Sequence, residues 1–144
     1  MYDYLQYLRS LQSGEKSINP FLEFMGMTLE ELKDGYARFR MPVQPGFIQG
    51  AGVVQGGLLV AMASETIAHA VMTLLERGEG IATIELKNSF LASANEGDVI
   101  AEGNVYKKGK TLVIGDCHVL SEPGKTLTRT TSTFLLVRTR ANTT

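Results

Sequence analysis

The sequence is short of several things, and each shortage narrows its chemistry. Cys117 is the only cysteine, so no disulfide can form within the chain and a reducing compartment is the simple expectation. Two histidines, His69 and His118, together with that thiol supply a His/Cys metal site poorly. Cys117 adjoins His118, but neighbours along a strand point to opposite faces, so no thiol–imidazole dyad is expected. A small buried apolar role suits Cys117 better. Positive charge is in no excess: 14 Lys and Arg stand against 15 Asp and Glu, leaving a net charge of −1. That balance gives no overall basic footprint for a nucleic-acid partner. The opening "MYDYLQYLRSLQSGEKS" lacks the basic start and apolar run of a secretory signal, and a cytoplasmic protein is expected. No low-complexity tract, repeat or linker interrupts the 144 residues, which fit one domain over 1–144 with a sizeable core.

Only one long hydrophobic run exists, "LLVAMASETIAHAVMTLL" from Leu58 to Leu75. Its length approaches that of a membrane span, about 17–25 residues. Glu65 at its centre, no basic cluster before it, and the dilution by Ala, Ser and Thr argue against that use. A helix apolar on all sides is otherwise the buried centre of a globular protein. Its predicted extent is about 56–77, with Arg77 as a basic last turn and Gly78 as the stop.

Around this helix the pattern is extended. "MTLEELKDGYARFRMPV" predicts two strands about the Asp34-Gly35 turn, with Ala37, Phe39, Met41 and Val43 on one face. After the helix come "IATIELKNSFLA", "GDVIAEGNVYKKG", "KTLVIGDCHVLSE" and "KTLTRTTSTFLLVRT". Short turns separate them, the last at Pro123-Gly124, and favour antiparallel neighbours joined as a meander. The N-terminus predicts an amphipathic helix over about 2–13, with Tyr4, Leu5, Leu8 and Leu11 near one face. "INPFLEFMGM" reads as a connection packing Phe21, Leu22 and Phe24 on the body. An α+β fold follows: an antiparallel sheet of about five or six strands wrapped around one central helix, with an extra N-terminal helix.

Several familiar motifs fail on inspection. "GKT" occurs at Gly109–Thr111 and Gly124–Thr126, but a phosphate-binding loop needs a glycine where Asn104 and Val119 stand. Gly50, Gly52, Gly56 and Gly57 lack dinucleotide spacing, and there is no G-x-S-x-G elbow. What remains is the helix. Glu65 and His69 are four apart and share a face. The ordinary explanation is a local ion pair toward solvent or a subunit contact. Yet no other charge lies between Leu58 and Leu75, and burial that raises a carboxylate's pKa suits a catalytic role. Gly56 and Gly57 open the helix, where unpaired N–H groups and the helix dipole can receive a developing oxyanion.

With those residues in view, the sequence resembles the hotdog-fold acyl-CoA thioesterases, the broad group of phenylacetate-pathway and 4-hydroxybenzoyl-CoA enzymes. "QGAGVVQGG" (Gln49 to Gly57) is similar to the family's segment leading into the central helix, and Thr83 to Leu112 to its following strands. The likeness runs from about Gly35 to Val137 and leaves the N-terminal helix outside. It implies that the Gly56 N–H polarises the thioester carbonyl with Gly57 beside it. Gln49 would hold the thioester or the attacking water, Gln55 would occupy a His/Gln position, and Thr83 a position that orients water. It also implies that Lys107, Lys108 and Lys110 meet the CoA phosphates, although a solvated hairpin explains them equally well.

The family's catalytic carboxylate falls on Ser64. Glu65 comes one place later, about 100° further round a regular helix, and His69 is likewise one place beyond a Ser/Thr position. One extra residue in the first turn, or a π-bulge, would bring Glu65 into register. The resemblance implies no metal and no organic cofactor. Its partner is an acyl-CoA substrate, and its assembly a homodimer or homotetramer with sites at the subunit interface. The expected activity is hydrolysis of an acyl-CoA with Glu65 as base or nucleophile. A non-catalytic acyl-CoA-binding protein, with Ser64 in place of the base, is the alternative. A hydratase or dehydratase fits less well, because Gln55 cannot shuttle protons.

Overall fold

A computed structural model describes residues 2–122 and 124–138. Pro123 of the expected Pro123-Gly124 turn, and Thr139 at the end of the last expected strand, lie outside them. The elements run α1 (Tyr4–Gln12), α2 (Pro20–Met25), β1 (Thr28–Lys33), β2 (Tyr36–Pro42), α3 (Gly56–Met72), β3 (Glu79–Phe90), β4 (Asp98–Lys108), β5 (Leu112–Ser121) and β6 (Lys125–Arg138). The six strands form one antiparallel sheet in the order β1-β2-β4-β5-β6-β3. This is the expected hotdog arrangement, a sheet curled around a single long helix.

Alternation explains which face meets the helix. Ala37, Phe39 and Met41 of β2 pair with Gly103, Ala101 and Val99 of β4, and all but the glycine belong to the buried core. Val113, Cys117 and Val119 of β5 and Phe134 and Leu136 of β6 continue that inner face. Glycines let α3 lie directly on the sheet. A Cβ at Gly103 would stand 2.9 Å from the Thr66 carbonyl oxygen, and one at Gly115 only 2.6 Å from Ile67 Cγ2. Cys117 is buried in this layer, as expected of it.

Three expectations need correction. First, the strands after α3 are not one meander. β4, β5 and β6 follow one another, but β3 crosses to the far edge and pairs with β6. The segment that leaves β3 is tied across the helix start: Leu91 N–H donates to Leu127 O, and Val54 N–H to Ala94 O. Second, α3 stops at Met72, short of Arg77. The Thr73 hydroxyl donates to Ala70 O at 2.6 Å and accepts the Gly35 N–H at 2.8 Å. Lys108 Nζ donates to Leu74 O at 2.8 Å, so a cation from β4 closes the helix end in place of Arg77. Third, "INPFLEFMGM" contains a helix. Asn19 caps it by accepting Leu22 N–H, Pro20 fills its first turn, and Gly26 ends it at φ 69°. Leu22 and Met25 are its buried residues, whereas Phe21 and Phe24 face outward. In α1, likewise, the buried residues are Tyr7 and Leu8, with Tyr4 and Leu11 packed at the core's margin.

Candidate functional site

Among the described residues, two uncovered surfaces adjoin at the start of α3. One is the start and outward face of α3, where Gly57 is exposed and Ala61, Ser64 and Ala68 are half-buried. Spaced at about 100° per residue, these form a single stripe of small side chains. The other is β3, a twelve-residue strand that among the described residues is paired on its β6 side alone. Its exposed residues include Ile84 and Phe90, with Leu91 next to it. An unpaired, partly apolar edge of this length is a natural pairing surface.

At the helix start the donors divide. Gln55 is the N-cap, and its side-chain oxygen accepts the Gly57 N–H. The Gly56 N–H has no acceptor among the described residues. Phe90, 60% exposed, lies over it: a Cβ at Gly56 would sit 2.7 Å from the ring. Of the two glycines, Gly56 therefore offers the free donor, and Gly57 is spent on capping. Thr83 lies on β3 opposite Phe134, so its side chain is on the helix-facing side of the open edge. Beside Phe90 the inner face of the sheet is polar. Thr128, Thr130 and Ser132 are buried there, and Thr130 Oγ1 donates to Asn88 Oδ1 at 2.6 Å. Gln49 is turned away onto its own loop, its Oε1 accepting Ala51 N–H at 2.5 Å.

The helix is α-helical throughout, with no widened turn before Glu65. Ser64 therefore lies within the small-residue stripe, and Glu65 lies about 100° further round the helix, toward α1. The Glu65 side chain is 29% exposed, with Oε2 3.8 Å from His69 Nδ1. Burial raises its pKa, opposed by the neighbouring Asn19 amide.

His69 is not available to a substrate. It is fully buried, with the Phe39 ring 5.0 Å away, and both nitrogens are engaged. Nδ1 lies 2.6 Å from the Glu65 carbonyl oxygen, and Nε2 lies 2.7 Å from the Tyr7 hydroxyl. A carbonyl can only accept, so Nδ1 carries the proton and Nε2 receives the Tyr7 O–H. Burial lowers the His69 pKa to about 4 and keeps it neutral. The expected catalytic role of His69 gives way to a structural one.

The lysine turn also divides. Lys108 Nζ bonds Glu79 Oε2 at 2.8 Å as well as Leu74 O, so its charge is spent within the fold. Lys107 and Lys110 are exposed and make no ion pair among the described residues. All three sit near the C-terminal end of α3, and that 17-residue helix carries them about 25 Å from Gly56. Within one chain the lysines and the glycine donor do not meet. No group of three or more His, Cys, Asp or Glu among the described residues could hold a metal ion. No described helix is long and apolar enough to cross a membrane.

Comparison with known proteins bears on this arrangement. The thioesterase superfamily matches residues 51–128, from the loop before α3 into β6. A Halobacterium salinarum protein, named provisionally as an esterase, is 30% identical over 105 residues, 69% of this chain and 69% of its own. A Saccharolobus solfataricus protein with the same provisional name is 23% identical over 133 residues, 92% of this chain and 94% of that one. Among solved structures, one from Ralstonia eutropha JMP134 is described provisionally as a thioesterase related to phenylacetic acid degradation. It matches with a TM-score of 0.82 at 25% identity, over 92% of this chain and 99% of that one.

Proposed function

Because the chain belongs to the thioesterase superfamily, we propose that it hydrolyses an acyl-CoA thioester to a carboxylic acid and CoA. Water attacks the thioester carbonyl carbon, the carbonyl oxygen becomes an oxyanion, and the C–S bond then breaks. The Gly56 N–H stabilises that oxyanion, backed by the dipole of α3. Glu65 takes the proton from water and returns it to the leaving sulfur. Its half-buried carboxylate, with a raised pKa, suits a base that must also act as an acid. The observation that carries the reading is the unpaired Gly56 N–H beside an uncovered stripe of small residues.

A second copy of the chain completes the site in this reading. The bare edge of β3 and the stripe of Gly57, Ala61, Ser64 and Ala68 are the surfaces on which it would dock. An antiparallel partner would bring its own Glu65, and its Lys107 and Lys110, toward this chain's Gly56. The exposed lysines then meet the phosphates of CoA.

One observation favours a second reading. Ser64, where the resemblance expects the carboxylate, cannot serve as a base, and Glu65 leans toward α1. A protein that binds acyl-CoA without cleaving it would have this arrangement. Thiol release from a panel of acyl-CoAs separates the two. Hydrolysis by the wild type that falls at least a hundredfold in Glu65→Gln, and little in Ser64→Ala, is expected of the enzyme. Binding of CoA esters with no turnover across the panel supports the second reading, and undiminished hydrolysis in Glu65→Gln rules out Glu65 as the base.

A further inference from the structure

The N-terminal elements lie outside the family match, yet they reach Glu65 through a closed set of polar contacts. The Tyr7 hydroxyl of α1 donates to His69 Nε2 at 2.7 Å, and His69 Nδ1 donates to the Glu65 carbonyl at 2.6 Å. Asn19, just before α2, donates from Nδ2 to the Tyr7 oxygen at 2.9 Å. Its Oδ1 is occupied by the Leu22 N–H. The carboxylate of Glu65 stands 3.8 Å from His69 Nδ1, and the nearby Asn19 amide opposes the pKa rise that burial causes there. The main-chain carbonyl of Glu65 is thereby tied through His69 to α1 and Asn19, and its carboxylate lies alongside that network.

The groups around the carboxylate are few. Tyr7 of α1, His69 of its own helix and Asn19 face it, and among the described residues no lysine or arginine pairs with it. Tyr7 is pushed up to about 12, first by burial, and His69 is neutral, so neither supplies charge near neutral pH. The Asn19 amide is left as the neutral donor that steadies the ionised carboxylate.

We propose that Asn19, acting through Tyr7 and His69, is a positioning residue for Glu65, so that the N-terminal arm sets the geometry of the base. This rests on the reading of Glu65 as the base. The arm makes no step of the reaction itself. It fixes the carboxylate's direction on the flank of the stripe, where a rotating side chain would spend much of its time elsewhere.

Asn19→Asp tests this without removing the helix cap, because Asp accepts the Leu22 N–H as well as Asn does. It deletes the amide donor and adds a negative charge beside Glu65, which raises the carboxylate's pKa. The acid limb of the kcat/KM–pH profile, measured on the intact chain with the best acyl-CoA of the panel, should move up by about one pH unit. Lost positioning should in addition lower kcat on the pH-independent plateau roughly tenfold. Asn19→Ser, a cap without the donor or the charge, should shift the limb less in the same direction. Circular dichroism should show both variants folded, and KM should change little. An acid limb unmoved in both variants, while Glu65→Gln is inactive, would overturn the positioning role alone. Full activity in Glu65→Gln would overturn the base assignment and this inference with it.

Discussion

The two ends of α3 are built to opposite standards. At the C-terminal end the polar groups are largely bonded within the fold. Thr73 links Ala70 O to Gly35 N–H, Lys108 takes Leu74 O, and Glu79 gathers Lys108, Arg138 and the Glu76 N–H. Burial pushes the Glu79 carboxyl up, but those donors bring it below its ordinary value. At the N-terminal end Gly56 keeps a free N–H under a mostly exposed phenyl ring, and the helix's outward face is bare. Unpaired donors on a stable scaffold are costly unless something arrives to use them. The closed end holds the helix on the sheet, and the open end is where the chemistry is assigned.

That contrast can be tested from the closed side first, where stability effects should be largest. His69 titrates near 6.5 when unfolded and at about 4 when folded. A folded pKa below the unfolded one means the unfolded chain binds the proton first as pH falls. The stability from neutral His69 is thus whole above about pH 6.5 and is lost through the window down to 4, by roughly 3 kcal/mol. Glu65, with a raised pKa, works in the opposite sense and trims that slope. Denaturant midpoints taken near pH 7 and near pH 4 measure the net loss, and a flat profile would break the account of His69.

Next comes the seat of the helix. Gly103→Ala places a methyl 2.9 Å from the Thr66 carbonyl oxygen, backbone that cannot swing aside, and should cost about 2–3 kcal/mol in a thermal melt. Glu79→Ala should cost about 2 kcal/mol, because Lys108 and Arg138 lose their shared partner while Arg138 remains half in water. The smallest effect belongs to the lysine turn. Lys110→Ala should leave stability within about 0.5 kcal/mol and raise KM for an acyl-CoA two- to fivefold, roughly, at unchanged kcat. That KM ratio should shrink with added salt. A KM indifferent to the substitution would separate the turn from the CoA phosphates.

Local signals were enough for most of the fold. The alternation of Ala37, Phe39 and Met41, the apolar run after Gly57 and the short turns are each properties of neighbouring residues. Asn19, Pro20 and Gly26 also spell a capped helix, although the aromatic residues between them suggested a packed connection. Contacts distant in sequence were not legible. Nothing near Phe90 says that β3 pairs with β6, and nothing near Leu74 says that Lys108 will end the helix. His69 meets Tyr7 across 62 positions, and no local pattern joins them. For the same reason Gly56 and Gly57 looked equivalent as donors, and only the Gln55 cap distinguishes them.

The central claim, that the open end of α3 performs the chemistry through the Gly56 N–H, has a direct test in Gly56→Pro. Proline suits the first position of a helix, and the extended Gln55 before it, at φ −61° and ψ 125°, accommodates the ring. Gly56→Ala is the control, since it keeps the N–H and makes only the exposed Phe90 ring move. Thiol release from an acyl-CoA should fall about 100- to 1000-fold in the proline variant relative to the alanine one, with both folded. Equal turnover by the two variants would contradict the assignment.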